Sequence, residues 1–274
     1  MALAPSRIRG MTGFSFEVVD ALDYDELRPE YAPEAVAWVA ERVGIVPGSS
    51  VVDLAAGTGR LSGRFVQLGV EVVAVEPAAN MRAVLEDRFP TVRAIVARAE
   101  SMPFDDGAID LIVVGNAFHH FDREVAMAEI HRVLRPRGAL AVFWAWPAEE
   151  EQRKIPGVRA IWDAVEESRG ESAIASAYRS WADLPTTVDG FAPFERREFP
   201  VIHVVPAARL ADLYATSSDV VSLPAETREA LLGMIRELSP SLPETLHLPG
   251  RTVVDLCVRD ADPIAPRLWR GESG

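Results

Sequence analysis

Between about residues 49 and 145, short runs of β-branched and aliphatic residues alternate with stretches of helical periodicity, the pattern of parallel strand–helix–strand units. The runs cover 51–54, 72–75, 92–96, 111–114 and 139–144. They are continuously apolar instead of alternating, as strands covered on both faces by helices must be. Leu61, Phe65 and Leu68 fall at helical spacing and Gly69 follows as a stop signal. Asp122 is placed to cap a helix whose Ile130, Val133 and Leu134 share a face, and Arg135-Pro136-Arg137-Gly138 is the turn that ends it. Residues 1–45 fit no such repeat. With Pro33 suited to a first helical turn and a helix over 35–43, they predict a helical cover at one end of the sheet. After Pro147 the alternation breaks down into helices near 155–170, 207–217 and 225–238 and strands near 197–205 and 252–258. The two late strands can complete the sheet, with the intervening helices as a lid. The chain thus divides into a cover (1–45), a doubly wound α/β core (46–147) and a C-terminal part (148–274).

Composition narrows the chemistry. A chain of 274 residues buries a full core without a disulfide scaffold, and its one cysteine, Cys257, excludes internal disulfides and any cysteine-based zinc site. That fits a reducing cytoplasm, with Cys257 as a small buried apolar residue. The first ten residues offer no apolar stretch of the secretory kind. The most apolar run, 139–148, is far shorter than the roughly 20 residues that span a bilayer. A soluble, cytoplasmic protein is expected. A net charge of −13 repels polyanions and speaks against nucleic acid. A small molecule, free or carrier-bound, is the expected partner. Asp105-Asp106-Gly107 reads as a turn and not a calcium loop, so no metal is expected.

The candidate chemistry lies in the loop Ala55-Ala56-Gly57-Thr58-Gly59, between a strand ending near Asp53 and a helix. Small residues there let backbone approach a ligand closely, and such a strand-to-helix switch is the usual crevice of an open parallel sheet. The second strand ends in Glu76, 23 residues after Asp53, where a carboxylate can accept both hydroxyls of a ribose. The loop continues Gly57-Thr58-Gly59-Arg60-Leu61-Ser62, so the third glycine of a dinucleotide fingerprint is missing. Asp53 also opposes a pyrophosphate, whereas the ammonium and sulfonium of S-adenosylmethionine suit it.

The motifs in order are Tyr24 to Tyr31, Asp53 to Gly59, Val73 to Pro77, Ala99 to Phe104, Asn116 to Asp122, and Arg132 to Gly138. Together they resemble the class I S-adenosylmethionine-dependent methyltransferases, in particular the bacterial branch similar to methyltransferase type 11. The resemblance implies a Rossmann-like, seven-stranded, mostly parallel sheet with the last strand antiparallel. It implies that Gly57 and Gly59 line the methionine portion of the cofactor, that Ala55 and Thr58 of the same loop also bind the cofactor, and that Asp53 touches it directly or through water. Glu76 would hold the ribose, Pro77 and Met81 flank the adenine, and Ala99 and Glu100 border its edge. Asn116, Ala117 and Phe118 would face the sulfonium, and Tyr24, Arg28 and Tyr31 would form a cover reaching the cofactor carboxylate. Two positions depart from the pattern. Ala55 stands for the first glycine of the loop, and Arg98 stands where relatives carry an Asp for the adenine amino group, leaving adenine contacts to backbone and Ala99.

His119 and His120 sit after the fourth strand, where a neutral imidazole can take a proton from a hydroxyl or amine. His119 is the candidate general base, a structural role being the alternative, and His120 the candidate wall of the acceptor pocket, in a position where relatives usually carry Trp. His131, His203 and His247 read as structural. Trp144, Trp146, Trp162 and Trp181 suggest an apolar acceptor pocket, with further acceptor contacts from residues 1–35 and the helices between about 207 and 238. The expected activity is O-, N- or C-methylation of a small molecule, with secondary metabolism as one setting and S-adenosylhomocysteine as product. The alternatives are a methyltransferase fold that catalyses a cyclisation or elimination or only binds, and a nicotinamide-dependent oxidoreductase, against which Asp53 and the missing glycine count.

Overall fold

The computed structural model describes residues 16–169 and 188–261. Its centre is one seven-stranded sheet in the order β3-β2-β1-β4-β5-β7-β6. The strands are β1 (Ser50–Leu54), β2 (Glu71–Val75), β3 (Arg93–Ile95), β4 (Ile109–Gly115), β5 (Leu134–Pro147), β6 (Glu195–Pro206) and β7 (Thr245–Val258). β1 to β5 pair in parallel, while β7 runs antiparallel between β5 and β6. The late strands therefore finish the sheet as the pattern predicts, and the fold is the expected Rossmann-like one.

The continuous apolar runs have a simple cause: alternate residues of each strand feed two different cores. Val51, Leu111, Val113, Ala141 and Phe143 pack against α2 (Pro33–Val43) and α3 (Arg60–Val66). Their neighbours Val52, Ile112, Val114, Leu140, Val142 and Trp144 pack against α5 (Arg123–Val133). α4 (Ala79–Arg88) adds Leu85 to the first core, and its Met81 packs with Val19, Ala21 and Ala78 under the N-terminal cover. That cover contains α1 (Ala21–Leu27), capped by Asp20, whose carboxylate accepts from the amides of Leu22 and Asp23. A third core joins α7 (Val158–Arg169), α8 (Leu210–Ala215), α9 (Ser218–Val221) and α10 (Ala225–Leu238) to Val205, Leu246 and Leu248 at the outer end of the β6–β7 hairpin, and to Leu27 of α1. A short α6 (Glu149–Gln152) precedes it, fixed by the Gln152 amide donating to the Pro249 carbonyl.

Two local details differ from the sequence pattern. The turn 135–138 does not simply end α5: it is absorbed into β5 as a bulge, since β4 partners step from Leu134 to Ala139. Arg137 takes φ 65° and a Cβ on Gly138 would lie 2.9 Å from the Arg135 carbonyl oxygen, so only glycine fits there. α3 ends at Val66, before Leu68, and the chain then turns through Gly69 at φ 73°. No helix among the described residues is long and apolar enough to cross a membrane.

Candidate active site

A cavity of about 450 Å³ opens at the carboxyl ends of β1, β2 and β4, the crevice where parallel sheets bind ligands. Five segments wall it. The cover gives Phe16, Glu17 and Tyr24, and the end of β1 and the loop after it give Leu54, Ala55 and Gly57. The segment after β2 gives Glu76, Pro77 and Ala78, with Met81 from α4; after β3 come Ala97 to Glu100; and from the end of β4 onward come Gly115, Asn116, Ala117, His120 and Phe121.

The loop owes its shape to three departures into left-handed backbone: Ala55 at φ 56°, Gly57 at φ 57° and Gly59 at φ 81°. Gly59 also lets α3 approach α4, since a Cβ there would sit 2.9 Å from Leu85 Cγ. Ala55 is the unusual member, holding a conformation that costs an L-residue roughly 1–2 kcal/mol. The loop is tied down by Glu76: its Oε2 accepts from the Gly57 amide at 2.8 Å and its Oε1 from the Ala78 amide at 2.7 Å. Each oxygen keeps a second lone pair for a hydroxyl donor. Burial raises the Glu76 carboxyl, partly offset by these two amides.

Asp53 does not line the cavity; it lies under its floor, 1% exposed. Its Oδ2 accepts from Ser62 Oγ at 2.6 Å, while Oδ1 is buried with no hydrogen-bond partner among the described residues. Burial pushes its carboxyl up to about 7, against the pull of the Ser62 hydrogen bonds, and the Glu76 charge adds to the rise. Thr58 Oγ1 is likewise buried and unpartnered among the described residues.

Of the other candidates, Tyr24, Ala55, Gly57, Glu76, Pro77, Met81, Ala99, Glu100, Asn116 and Ala117 are brought together around the cavity, whereas Arg28, Tyr31, Thr58, Gly59 and Phe118 are not on its wall. Tyr31 packs behind β4, its hydroxyl accepting from Asn116 Nδ2 at 3.2 Å; burial raises it well above the usual phenol range. Asn116, at φ 52°, also accepts from the Ala145 amide at 2.8 Å through Oδ1, so its side chain stitches β4 to β5. Arg28 donates to Ser217 Oγ at 2.8 Å and lies 5.6 Å from the centre of the Tyr24 ring. The turn Phe118–His120 is a single 3-10 turn that directs Phe118 and His119 into the core and His120 to the cavity. His119 is 2% exposed, its ring centre 3.9 Å from that of His120 and 5.9 Å from Trp144. Burial holds His119 well below the usual imidazole range, with the neighbouring His120 adding to the fall, and brings His120 down to about 4.

Sequence reasoning did not single out Phe16, Glu17, Leu54, Ala78, Ala97, Gly115 or Phe121 as wall residues. Phe121 lies within the motif Asn116 to Asp122 and Gly115 adjoins it, so both could have been found there; Phe16 and Glu17 belong to a 3-10 turn without periodic signal. The tryptophans do not form one pocket: Trp144 belongs to the core under α5, Trp162 to the third core, and neither they nor Trp146 line the cavity. Trp181 lies outside the described residues, as do residues 1–15. None of α8 to α10 lines the cavity; they reach the cover through Arg209, just ahead of α8, which pairs with Asp23 at 2.6 Å and Glu26 at 3.3 Å.

Comparison with known proteins agrees with this geometry. The family model of the methyltransferase domain matches residues 52–142, the span from β1 to β5. An uncharacterized methyltransferase of Mycobacterium tuberculosis is 31% identical over 240 residues, covering 86% of this chain and 91% of that protein. A demethylmenaquinone methyltransferase of Renibacterium salmoninarum is 31% identical over 159 residues, 53% of this chain and 65% of that protein. Among solved structures, a candidate type II methyltransferase of Anaeromyxobacter dehalogenans shares the fold with a TM-score of 0.57 at 22% identity, covering 85% of this chain and 97% of that one. The chain therefore belongs to the class I S-adenosylmethionine-dependent methyltransferases.

Proposed function

We propose that this chain methylates a small-molecule acceptor, with S-adenosylmethionine bound in the cavity at the ends of β1, β2 and β4. The observation that carries this reading is the pair of buried carboxyls, Glu76 and Asp53, on either side of a loop held in left-handed backbone. Glu76 offers two free lone pairs to ribose hydroxyls, Pro77 and Met81 flank the base, and Ala99 and Glu100 border its edge. Asp53, beneath the cavity floor with one orphaned oxygen, complements an ammonium group through its charge or a bridging water and not by direct contact. A volume of about 450 Å³ suits a nucleoside with an amino-acid tail.

When bound, S-adenosylmethionine supplies an electrophilic methyl carbon on a leaving group that is already activated. The protein's residues then have to align the acceptor and exclude water. Phe16, Tyr24 and Phe121 form an aromatic wall for this, and it suits a flat apolar acceptor of the kind that the demethylmenaquinone relative's name describes. His120 is the residue we assign to the acceptor proton, in preference to the core-facing His119. At about 4 it is neutral at pH 7 and accepts a hydrogen bond from a hydroxyl or amine. So weak a base suffices for a hydroxyl acceptor, whose alkylated oxonium is strongly acidic.

Calorimetric titration with S-adenosylhomocysteine and with NAD tests the cofactor. Binding of the first and not the second is expected, weakened by about 1–3 kcal/mol in Glu76→Ala. Failure of S-adenosylhomocysteine to bind would remove the proposal. Transfer of a labelled methyl group into metabolite extracts then identifies the acceptor.

A further inference from the structure

One buried cation has no part in the reading above. Arg60 is the first residue of α3, directly after Gly57-Thr58-Gly59, and its side chain is 9% exposed. It turns away from the cavity to the cover. One terminal nitrogen donates to the Asp25 carbonyl and the other to the Arg28 carbonyl, and the latter also pairs with Glu30 at 2.8 Å. Asp25 is among the last residues of α1, whose carbonyls have no partner within the helix. Arg60 thus caps the helix that carries Tyr24 over the cavity. Arg64, one turn along α3, holds the other oxygen of Glu30 at 3.0 Å.

α1 has two other arginine contacts, Arg88 on Asp25 and Arg209 on Asp23 and Glu26. Those ion pairs use partly exposed side chains and are open to screening by salt. The Arg60 contacts differ in kind: the guanidinium is buried and its acceptors include main-chain carbonyls, so they persist whatever the acidic side chains of α1 do. Lifting α1 from the cavity would strand this cation, with its Nε already unpartnered among the described residues, unless the β1–α3 loop moved as well.

We infer that Arg60 is a positioning residue that locks the cover helix to the cofactor loop, so that the two walls of the cavity open and close as one. The ligand side of this inference rests on the proposed function; the mechanical link does not.

Hydrogen exchange of the full chain, without ligand, tests the link. In Arg60→Gln, amides of residues 21–28 should exchange about tenfold faster or more, with α2, β1 and β4 unchanged. Arg60→Lys keeps the charge but lacks the planar fork that spans two carbonyls, and should fall between. Replacing both Arg88 and Arg209 by Gln should have a smaller effect that vanishes in 0.5 M salt (about that order of screening). Unchanged exchange in 21–28 for both Arg60 variants overturns the inference, and so does acceleration spread evenly over the chain. Bound S-adenosylhomocysteine should slow exchange of 21–28 in the wild type and leave Arg60→Gln much faster by comparison. Its dissociation should be faster from Arg60→Gln. If S-adenosylhomocysteine does not bind the wild type, the cofactor reading fails, while the ligand-free exchange still decides the clamp.

Discussion

Replacing Asp53 by Asn keeps the shape of the side chain and removes its ability to ionise. In the folded protein this carboxyl stands at about 7, raised from an ordinary 3.8 mainly because burial strips it of water. At ~1.36 kcal/mol per pH unit, that difference corresponds to roughly 4 kcal/mol. The sign follows from proton counting. Between about pH 4 and 7 the folded state holds a proton that the unfolded state has lost, so stability falls as pH rises through this window. Below about pH 4 both states are protonated and the penalty is absent; above about 7 it is complete. The amide of the Asp53→Asn variant never ionises. It gives up about 1 kcal/mol in its hydrogen bonding to Ser62, yet above about pH 7 it should leave the protein more stable by about 2–3 kcal/mol. Urea denaturation of both proteins from about pH 4.5 to 8.5 measures this directly. The two curves of unfolding free energy should meet near about pH 4.5 and diverge as pH rises, with the variant the stronger at alkaline pH. Calorimetry should show the opposite for ligand, with S-adenosylhomocysteine bound less tightly by the variant at about pH 8 as an ammonium loses its anionic partner. Parallel stability curves would refute the reasoning: Asp53 would then be ionised in the fold at all these values.

Further tests follow from backbone and packing. Ala55→Gly relieves a left-handed alanine and should stabilise the protein by about 1 kcal/mol in denaturant titration, with the loop otherwise unchanged. Gly115→Ala places a methyl carbon 2.4 Å from the Tyr31 hydroxyl oxygen; a loss of about 2–3 kcal/mol is expected. Adding Tyr31→Phe, which deletes that oxygen, should recover much of the loss, and an additive double mutant would show that the two positions do not meet.

The layers of this protein were written in local sequence. A run such as Val51-Val52, or Leu140-Ala141-Val142-Phe143, buries each residue on one face or the other, and only a strand between two helical layers makes such a run useful. The crevice was legible for the same reason: glycines, a strand end and a carboxylate such as Glu76 are set by the backbone within a few residues of one another. What side chains do there was decided at long range. His119 and His120 are neighbours in sequence, yet one 3-10 turn gives the first to Trp144 and the second to the cavity. Arg28, expected at a ligand, is drawn to Ser217, a residue that only the packing of the C-terminal helices brings near. Asp53 keeps its place beside the loop but lies beneath the floor, where loss of water, and not its position in the chain, fixes its charge. Periodicity records which face of an element is buried; it holds no record of which distant partner meets a long polar side chain, because that contact depends on the assembled fold.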